Sequence, residues 1–572
     1  MYQANKIAHQ LFFLMVFISI SFFIIISRLS FLQILYGSFY YERCQKNYSK
    51  IEAIPAQRGN ILDSKNRILA TNIPLYHILW HGTGNKTLSE SQRSLLSYIQ
   101  QLTDKPLDHG IAYWKTIEKA ERYQREFTLV HNISFESMSK IIERFPDHPN
   151  ISIEPSFQRY YPHGTIAAHI VGYITNTIDQ LHNGKIGIEK LCNDSLMGKN
   201  GKKIKITNSF GQTIESKELE PPKQGSDINT TLDLNIQKIA ELTFPKNLQG
   251  TIIVMDPENG DIQALLSRPS FDPTIFLHSL SQQQWRDLQK NQPFINRALS
   301  LYPPGSIFKL ITISAALENG YLAKDQNWQC EGFINFANRK YWCHRRWGHG
   351  NLSTIQAIAQ SCNILFFEVG KKIDIDLITH YAHLFGLGEK TGFPLSDKIG
   401  IIPSREWKKQ EKGEPWWPGE TLSVAIGQSY LMVTPLQISR MIGSIFTGYL
   451  VKPRILTAEP IEKIKLNMQP STLDFLKESM HFVIAKGTGK RINTIKDIEI
   501  FAKTSTAQIA DFKKRMLGKQ FLEHAWFVAY FKYKTHKPLI LVILVEHAGT
   551  SQIATSIARD FLHCYKQIDH FL

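Results

Sequence analysis

Three observations predict an α+β protein with an N-terminal membrane-spanning helix, a mixed helix-and-strand segment, and a C-terminal domain built on an antiparallel sheet flanked by helices. The first is the uncharged apolar run from Leu11 to Ser27. The second is a set of strand-like runs, Gly250–Pro257, Ile262–Leu266, Ile498–Ala502, Ala525–Tyr530 and Leu539–Val545. The third is an apolar helical run from Ile307 to Leu317, opened by Pro303-Pro304-Gly305 and stopped by Asn319-Gly320.

The apolar run is close to the minimum of roughly 17 residues that a hydrocarbon core requires. Arg28 can snorkel, so Leu29, Phe31, Leu32, Ile34 and Leu35 extend the anchor to 11–35. A cleaved signal peptide is the rival, but the apolar stretch is long and no small-x-small site follows it. Lys6 on the short N-terminal side predicts a cytoplasmic tail over 1–10 and an extracytoplasmic remainder.

A chain of 572 residues has room for three or four domains. Its 43% hydrophobic and 20% charged residues exclude wholesale disorder. The formal charge of +16 suits anionic lipid head groups or an anionic polymer, or reflects a generally lysine-rich surface. No nucleic-acid motif, phosphate-binding glycine loop or internal repeat is present.

From 36 to 231 helical and extended patterns alternate without a chemical cluster. Its landmarks are the stretch from Ile54 to Asp63, Arg159-Tyr160-Tyr161-Pro162 and Gly187-Ile188-Glu189-Lys190. Arg58 and Asp63 read as members of a buried or loop-fixing ion pair. A new domain, 232–572, begins near Leu232-Asp233-Leu234, and its first two strands are joined through Asn259-Gly260.

Within that domain lie Ser306-Ile307-Phe308-Lys309, Ser361-Cys362-Asn363 and Lys503-Thr504-Ser505-Thr506. In the first, an i to i+3 spacing on a helix puts a hydroxyl and an amine on one face, where a neutral lysine can take the serine proton. A helix N-terminus there favours a developing oxyanion. Ser137-Met138-Ser139-Lys140 has the same spacing, but sits in a polar helix without that punctuation. Lys390-Thr391-Gly392 is a more literal K-T-G, but Phe385-Gly386-Leu387-Gly388 and Phe393-Pro394 mark it as loop, whereas Lys503 follows a strand-like run.

Taken together these elements resemble the S-x-x-K, S-x-N and K-T-G set of penicillin-binding proteins and serine β-lactamases. The chain is similar to class B penicillin-binding proteins through nearly its whole length, including Ser267-Arg268-Pro269, Asn296-Arg297-Ala298 and Ala425-Ile426-Gly427-Gln428. Tyr302-Pro303-Pro304-Gly305, Gly348-His349-Gly350, Pro403-Ser404-Arg405-Glu406-Trp407 and Pro415-Trp416-Trp417 are similar to the elongation-type penicillin-binding protein 2 branch. The resemblance implies an elongated pedestal over 36–231 and a serine β-lactamase-like transpeptidase domain over 232–572, in a single-pass protein of the inner membrane. It implies a peptidoglycan D,D-transpeptidase that cross-links stem peptides on lipid-linked precursor strands during elongation and is the target of β-lactams.

The roles implied are Ser306 as nucleophile and Lys309 as its base, with Lys503 as the nearby cation that helps depress its pKa, Ser361 as proton relay, and Asn363 as a hydrogen-bond partner of the substrate backbone. Backbone N–H groups of Ser306 and Thr506 would bind the oxyanion, while Lys503, Thr504 and Thr506 would hold the substrate carboxylate. Ser505 stands where the family has glycine, placing a side chain among these substrate-binding residues. Ser429 likewise replaces a common glycine. The chemistry needs no cofactor. The implied partners are a RodA-like glycosyltransferase, elongation-complex proteins and β-lactams, with no nucleic acid. A D,D-carboxypeptidase or β-lactamase-type hydrolase, and a β-lactam sensor or catalytically silent scaffold, are the alternatives.

Of the six cysteines, Cys330, Cys343 and Cys362 bracket His349, and thiolate with imidazole is a zinc ligand set. The branch can carry a metal here with a mixed carboxylate, histidine and cysteine set, so the resemblance implies structural zinc on Cys330, Cys343, His349 and Cys362. A Cys330–Cys343 disulfide and plain buried thiols are the rival readings.

Overall fold

A computed structural model of the chain describes residues 2–103, 111–176, 182–207, 213–277, 280–509 and 517–568. They belong to two compact units, one comprising Met1–Gln57, Asn72–Gln158 and Gly198–Gly225, the other Arg58–Thr71, Arg159–Met197 and Ser226–Leu572.

The first unit opens with the helix Tyr2–Ser30 and its continuation Phe31–Leu35. Ile7–Leu35 is the one stretch among the described residues long and apolar enough to cross a membrane. Elsewhere in this unit Ser49–Ile54, Gly201–Thr207 and Thr213–Glu220 form an antiparallel sheet. A separate core gathers Trp80, Leu95, Ile99, Ile117 and Ile141. In the helix Phe135–Arg144 the Ser134 hydroxyl accepts from Ser137 N–H, and Lys140 pairs with exposed Glu136 at 2.6 Å. The Ser137/Lys140 pair is thus part of an ordinary surface helix with an i,i+4 ion pair.

The second unit is organised by a five-stranded sheet of β1 (Gly250–Met255), β2 (Ile262–Arg268), β3 (Ile498–Ala507), β4 (His524–Tyr533) and β5 (Leu539–Val545), in the order β2-β1-β5-β4-β3. Every neighbouring pair is antiparallel. The central strand β5 is apolar at all seven positions because both faces are covered. Ile540, Val542 and Leu544 join the core that includes helix Lys309–Glu318. Leu541, Ile543 and Val545 join the one that includes helices Leu234–Thr243 and Ser551–Tyr565. Period-two alternation therefore builds a three-layer domain from one sheet, with β3 at an edge.

All three landmarks of 36–231 converge in this unit. Glu189 accepts from Arg58 Nε on one carboxylate oxygen and from Arg159 Nε on the other, both at 2.7 Å, and Tyr161 OH lies 3.3 Å away. Arg58 is not paired with Asp63. Asp63 instead accepts from Arg67 and from the backbone N–H groups of Lys65, Arg67 and Leu234, tying the turn at 63–67 to the helix Leu234–Thr243. Both residues are structural ions, in separate networks. Glu189→Ala would leave two buried guanidiniums facing each other, and removing one partner of a buried pair costs about 3–5 kcal/mol. Thermal unfolding of the purified chain should show that loss; an unchanged midpoint would mean water reaches the guanidiniums.

Candidate active site

Ser306 lies on a tight turn rather than at the start of an α-helix. Gly305 takes φ +53°, Phe308 N–H donates to Gly305 O at 2.9 Å, and Gly305–Ile307 forms one 3₁₀ turn before the α-helix begins at Lys309. The α-helix therefore starts two residues later than the expected run from Ile307. Because a 3₁₀ turn eclipses positions i and i+3, Ser306 and Lys309 still share a side.

The carbonyls before Ser306 are clamped one after another. Tyr302 and Val433 exchange two backbone hydrogen bonds of 2.9 Å. Trp526 Nε1 on β4 donates to Pro303 O at 3.1 Å, and Ser505 Oγ on β3 donates to Pro304 O at 3.0 Å. Gly305 N–H donates to Gly427 O at 3.0 Å, and a Cβ on Gly427 would overlap the Gly305 carbonyl.

Lys309 is fully buried, and its ammonium nitrogen lies 2.8 Å from Ser361 O, 3.2 Å from Ser361 Oγ and 2.8 Å from Asn363 Oδ1. Lys503, also fully buried, reaches the same Ser361 Oγ at 3.1 Å. Ser361 presents its carbonyl and hydroxyl together because its backbone is left-handed, at φ +53°. No carboxylate contacts either amine among the described residues. Burial lowers the Lys309 pKa to about 8, against an opposing pull from Cys362 and Cys343. Burial, and then the neighbouring Lys309, hold Lys503 well below the ordinary lysine range.

On β3, Thr504 Oγ1 is 2.6 Å from Thr488 Oγ1, and Thr506 Oγ1 accepts from Ser551 N–H at 3.2 Å. Ser505 shares a strand face with Lys503, two positions away, and its hydroxyl passes under the Ser306 turn to Pro304. Lys390-Thr391-Gly392 is a turn in which Thr391 Oγ1 and Gly392 N–H both bind Asp397. Ser429 takes φ +74°, the conformation in which glycine is the usual choice. Trp526 and Thr488 were missed by sequence reasoning, since no spacing links them to the three motifs. Gly427 lay within a quoted landmark, but without a role.

Cys330, Cys343, His349 and Cys362 come together with all four ligand atoms within 4.8 Å of one another. Cys330 Sγ lies 3.4 Å from His349 Nδ1, Cys343 Sγ 3.6 Å from it, and Cys343 and Cys362 sulfurs are 3.9 Å apart. All six cysteines are free thiols. The Cys362 thiol, with His344, His349 and a backbone N–H, pulls Cys343 towards the thiolate, while Cys343 and burial push Cys362 up. Asn363 N–H donates to Cys343 Sγ at 3.4 Å, and Asn363 Nδ2 to Trp342 O at 3.1 Å. The cluster thereby holds the loop that carries Ser361 and Asn363.

Comparison with known proteins places this geometry. Residues 250–563 match the penicillin-binding protein transpeptidase domain, and 53–230 the penicillin-binding protein dimerisation domain. The chain is 29% identical to the peptidoglycan D,D-transpeptidase MrdA of Haemophilus influenzae, over 93% of this chain and 88% of the relative. It is 27% identical to MrdA of Escherichia coli K12, over 94% and 91%. Among solved structures, a peptidoglycan synthase complex that coordinates polymerization and crosslinking superposes with a TM-score of 0.76 at 28% identity, covering 97% of this chain and 98% of that one. The Helicobacter pylori PBP2 solved with MreC gives 0.74 at 27% identity, covering 91% and 99%. With the transpeptidase model spanning more than half its length and the two buried lysines meeting at Ser361, the chain belongs to the penicillin-binding protein transpeptidase family.

Proposed function

We propose that this chain is an elongation-type peptidoglycan D,D-transpeptidase, a reading carried by the meeting of Lys309, Lys503, Ser361 and Asn363 beside the Ser306 turn. Ser306 Oγ attacks the penultimate D-alanine carbonyl of a stem peptide, and its proton passes to neutral Lys309 Nζ. The oxyanion is held by the Ser306 and Thr506 N–H groups. Cleavage of the peptide bond leaves the acyl-serine ester, and the Ser361 hydroxyl protonates the departing D-alanine nitrogen. Ser361 is reprotonated by the Lys309 ammonium that took the Ser306 proton, which restores the neutral amine. An amine of a neighbouring stem peptide then attacks the ester, forming the cross-link and returning the proton to Ser306. Lys503, Thr504 and Thr506 hold the terminal carboxylate, and Asn363 the donor backbone. β-Lactams occupy the same site and acylate Ser306.

The similarity to MrdA supports the elongation assignment. The likeness to a synthase complex and to PBP2 with MreC supports a RodA-like glycosyltransferase and elongation-complex proteins as partners. The Ile7–Leu35 helix supports a single-pass inner-membrane anchor, with 1–10 cytoplasmic and the bulk outside. The pedestal of 36–231 carries the transpeptidase domain of 232–572. Zinc suits the Cys330, Cys343, His349 and Cys362 set, because tetrahedral ligands at 2.3 Å stand about 3.8 Å apart, close to the separations found. Such a site would supply structural bracing to the Ser361–Asn363 loop and no chemistry.

Two measurements check these assignments. A fluorescent penicillin should label the wild type stably and Ser306→Ala not at all, whereas rapid loss of label would indicate a hydrolase and no label a silent scaffold. His349→Ala should abolish stoichiometric zinc and slow Ser306 acylation about 10- to 100-fold. Zinc-free wild-type protein with a linked Cys330–Cys343 peptide would replace the metal with a disulfide.

A further inference from the structure

From Gly332 to Phe367 the chain contains no aspartate or glutamate, yet it carries Arg339, Lys340, Arg345 and Arg346. Strands Phe333–Phe336 and Arg339–Trp342 form a hairpin, and the chain returns beside it through 343–350. All four cations are exposed, and none has a carboxylate partner among the described residues. Each lies against an aromatic ring instead: Lys340 is 4.6 Å from the Phe333 centroid, Arg346 4.5 Å from Trp342, Arg345 5.7 Å from Trp347, and Arg339 5.7 Å from Tyr341. Trp347 is 79% exposed. This contrasts with other cations of the same unit, such as Arg405 on Asp374 or Lys408 on Glu420.

The patch is tied down by hydrogen bonds and adjoins Asn363. Cys343 N–H donates to Gly332 O, His349 N–H to Cys330 O, and Tyr341 OH to Gly419 O. Trp342, which carries the Arg346 guanidinium on its ring, accepts the Asn363 side-chain N–H on its carbonyl. Guanidinium forks bind carboxylates in two-point fashion, and flat indoles suit the apolar faces of sugar rings.

We propose that this basic aromatic hairpin is a docking surface for the peptidoglycan strand, with Arg345 and Arg346 gripping stem-peptide carboxylates and Trp347 packing on the strand beside them. The proposal rests on the transpeptidase reading. Charge complementarity selects an acidic strand, and the bond to Asn363 favours substrate over a membrane surface. The grip on an exposed surface weakens with salt, because a Debye length of about 8 Å at physiological ionic strength screens it.

The test uses the full chain in detergent and soluble uncross-linked peptidoglycan oligomers, with free or amidated stem carboxylates. Arg345→Glu/Arg346→Glu should bind the free-carboxylate oligomers at least about tenfold more weakly than wild type, and wild type should lose the same margin on the amidated ones. Arg345→Gln/Arg346→Gln should move in the same direction, which covers the case of a charge reversal that disturbs the loop. Labelling of Ser306 by a fluorescent penicillin reports the serine chemistry separately. Equal binding by wild type and both variants, or indifference to amidation, would overturn the proposal. So would a loss seen only on phosphatidylglycerol vesicles, which would assign the patch to the membrane. Wild-type protein that takes no penicillin would sink the transpeptidase reading instead.

Discussion

Two lysine amines buried around one serine hydroxyl, neither touching a carboxylate among the described residues, set the terms for the whole catalytic unit. A buried ammonium is costly unless paired, and pairing with a carboxylate raises its pKa and keeps it protonated, with no lone pair left to accept a proton. The chain meets this by surrounding Lys309 with neutral acceptors, Ser361 O, Ser361 Oγ and Asn363 Oδ1. Elsewhere in the same unit buried cations receive acids: Arg58 and Arg159 share Glu189, and Arg297 reaches Glu546. The distinction separates ions that hold the fold from amines that exchange protons.

That electrostatic arrangement only works if Ser306 is kept in place, and the sheet supplies the constraint. Edge strand β3 brings Lys503 to Ser361 and Ser505 to Pro304 from the same face, two residues apart. Its neighbour β4 adds Trp526 on Pro303. A register slip of one residue would turn both β3 side chains away from the site, so the apolar packing that fixes the sheet's register also positions the Ser306 turn. On the opposite side of Ser361, the Cys/His cluster fixes Asn363 through Cys343. The cysteines of that cluster and Trp526 behind the Ser306 turn belong to one apolar core, so the two supports are packed against a common interior.

Much of this was legible in the sequence because the three motifs carry their own local punctuation. Pro303-Pro304-Gly305 marked a turn, and the apolar run before Lys503 marked a strand. The cysteines and His349 were legible as a ligand set, though their wide spacing left a disulfide open; in the fold they cluster with free sulfurs. The boundary between 3₁₀ turn and helix at Ser306 was not legible, since it follows from Gly305's φ and the Gly427 contact rather than from propensity. Nor was the direction of Ser505: strand alternation is readable, but which face meets the nucleophile depends on tertiary pairing. Arg58 was read beside Asp63 because they are near in sequence, whereas its partner Glu189 lies 131 residues away.

The central claim is that Lys309 is a buried, largely deprotonatable base, and the pH dependence of Ser306 acylation measures it directly. Because burial favours the neutral amine, its pKa is depressed, and the fraction able to accept the serine proton grows as pH rises. The second-order rate of acylation by a penicillin should therefore climb through a midpoint at about 8 and then level off. A limb centred on the ordinary lysine value of 10.5, or a rate that does not change with pH, would contradict the account.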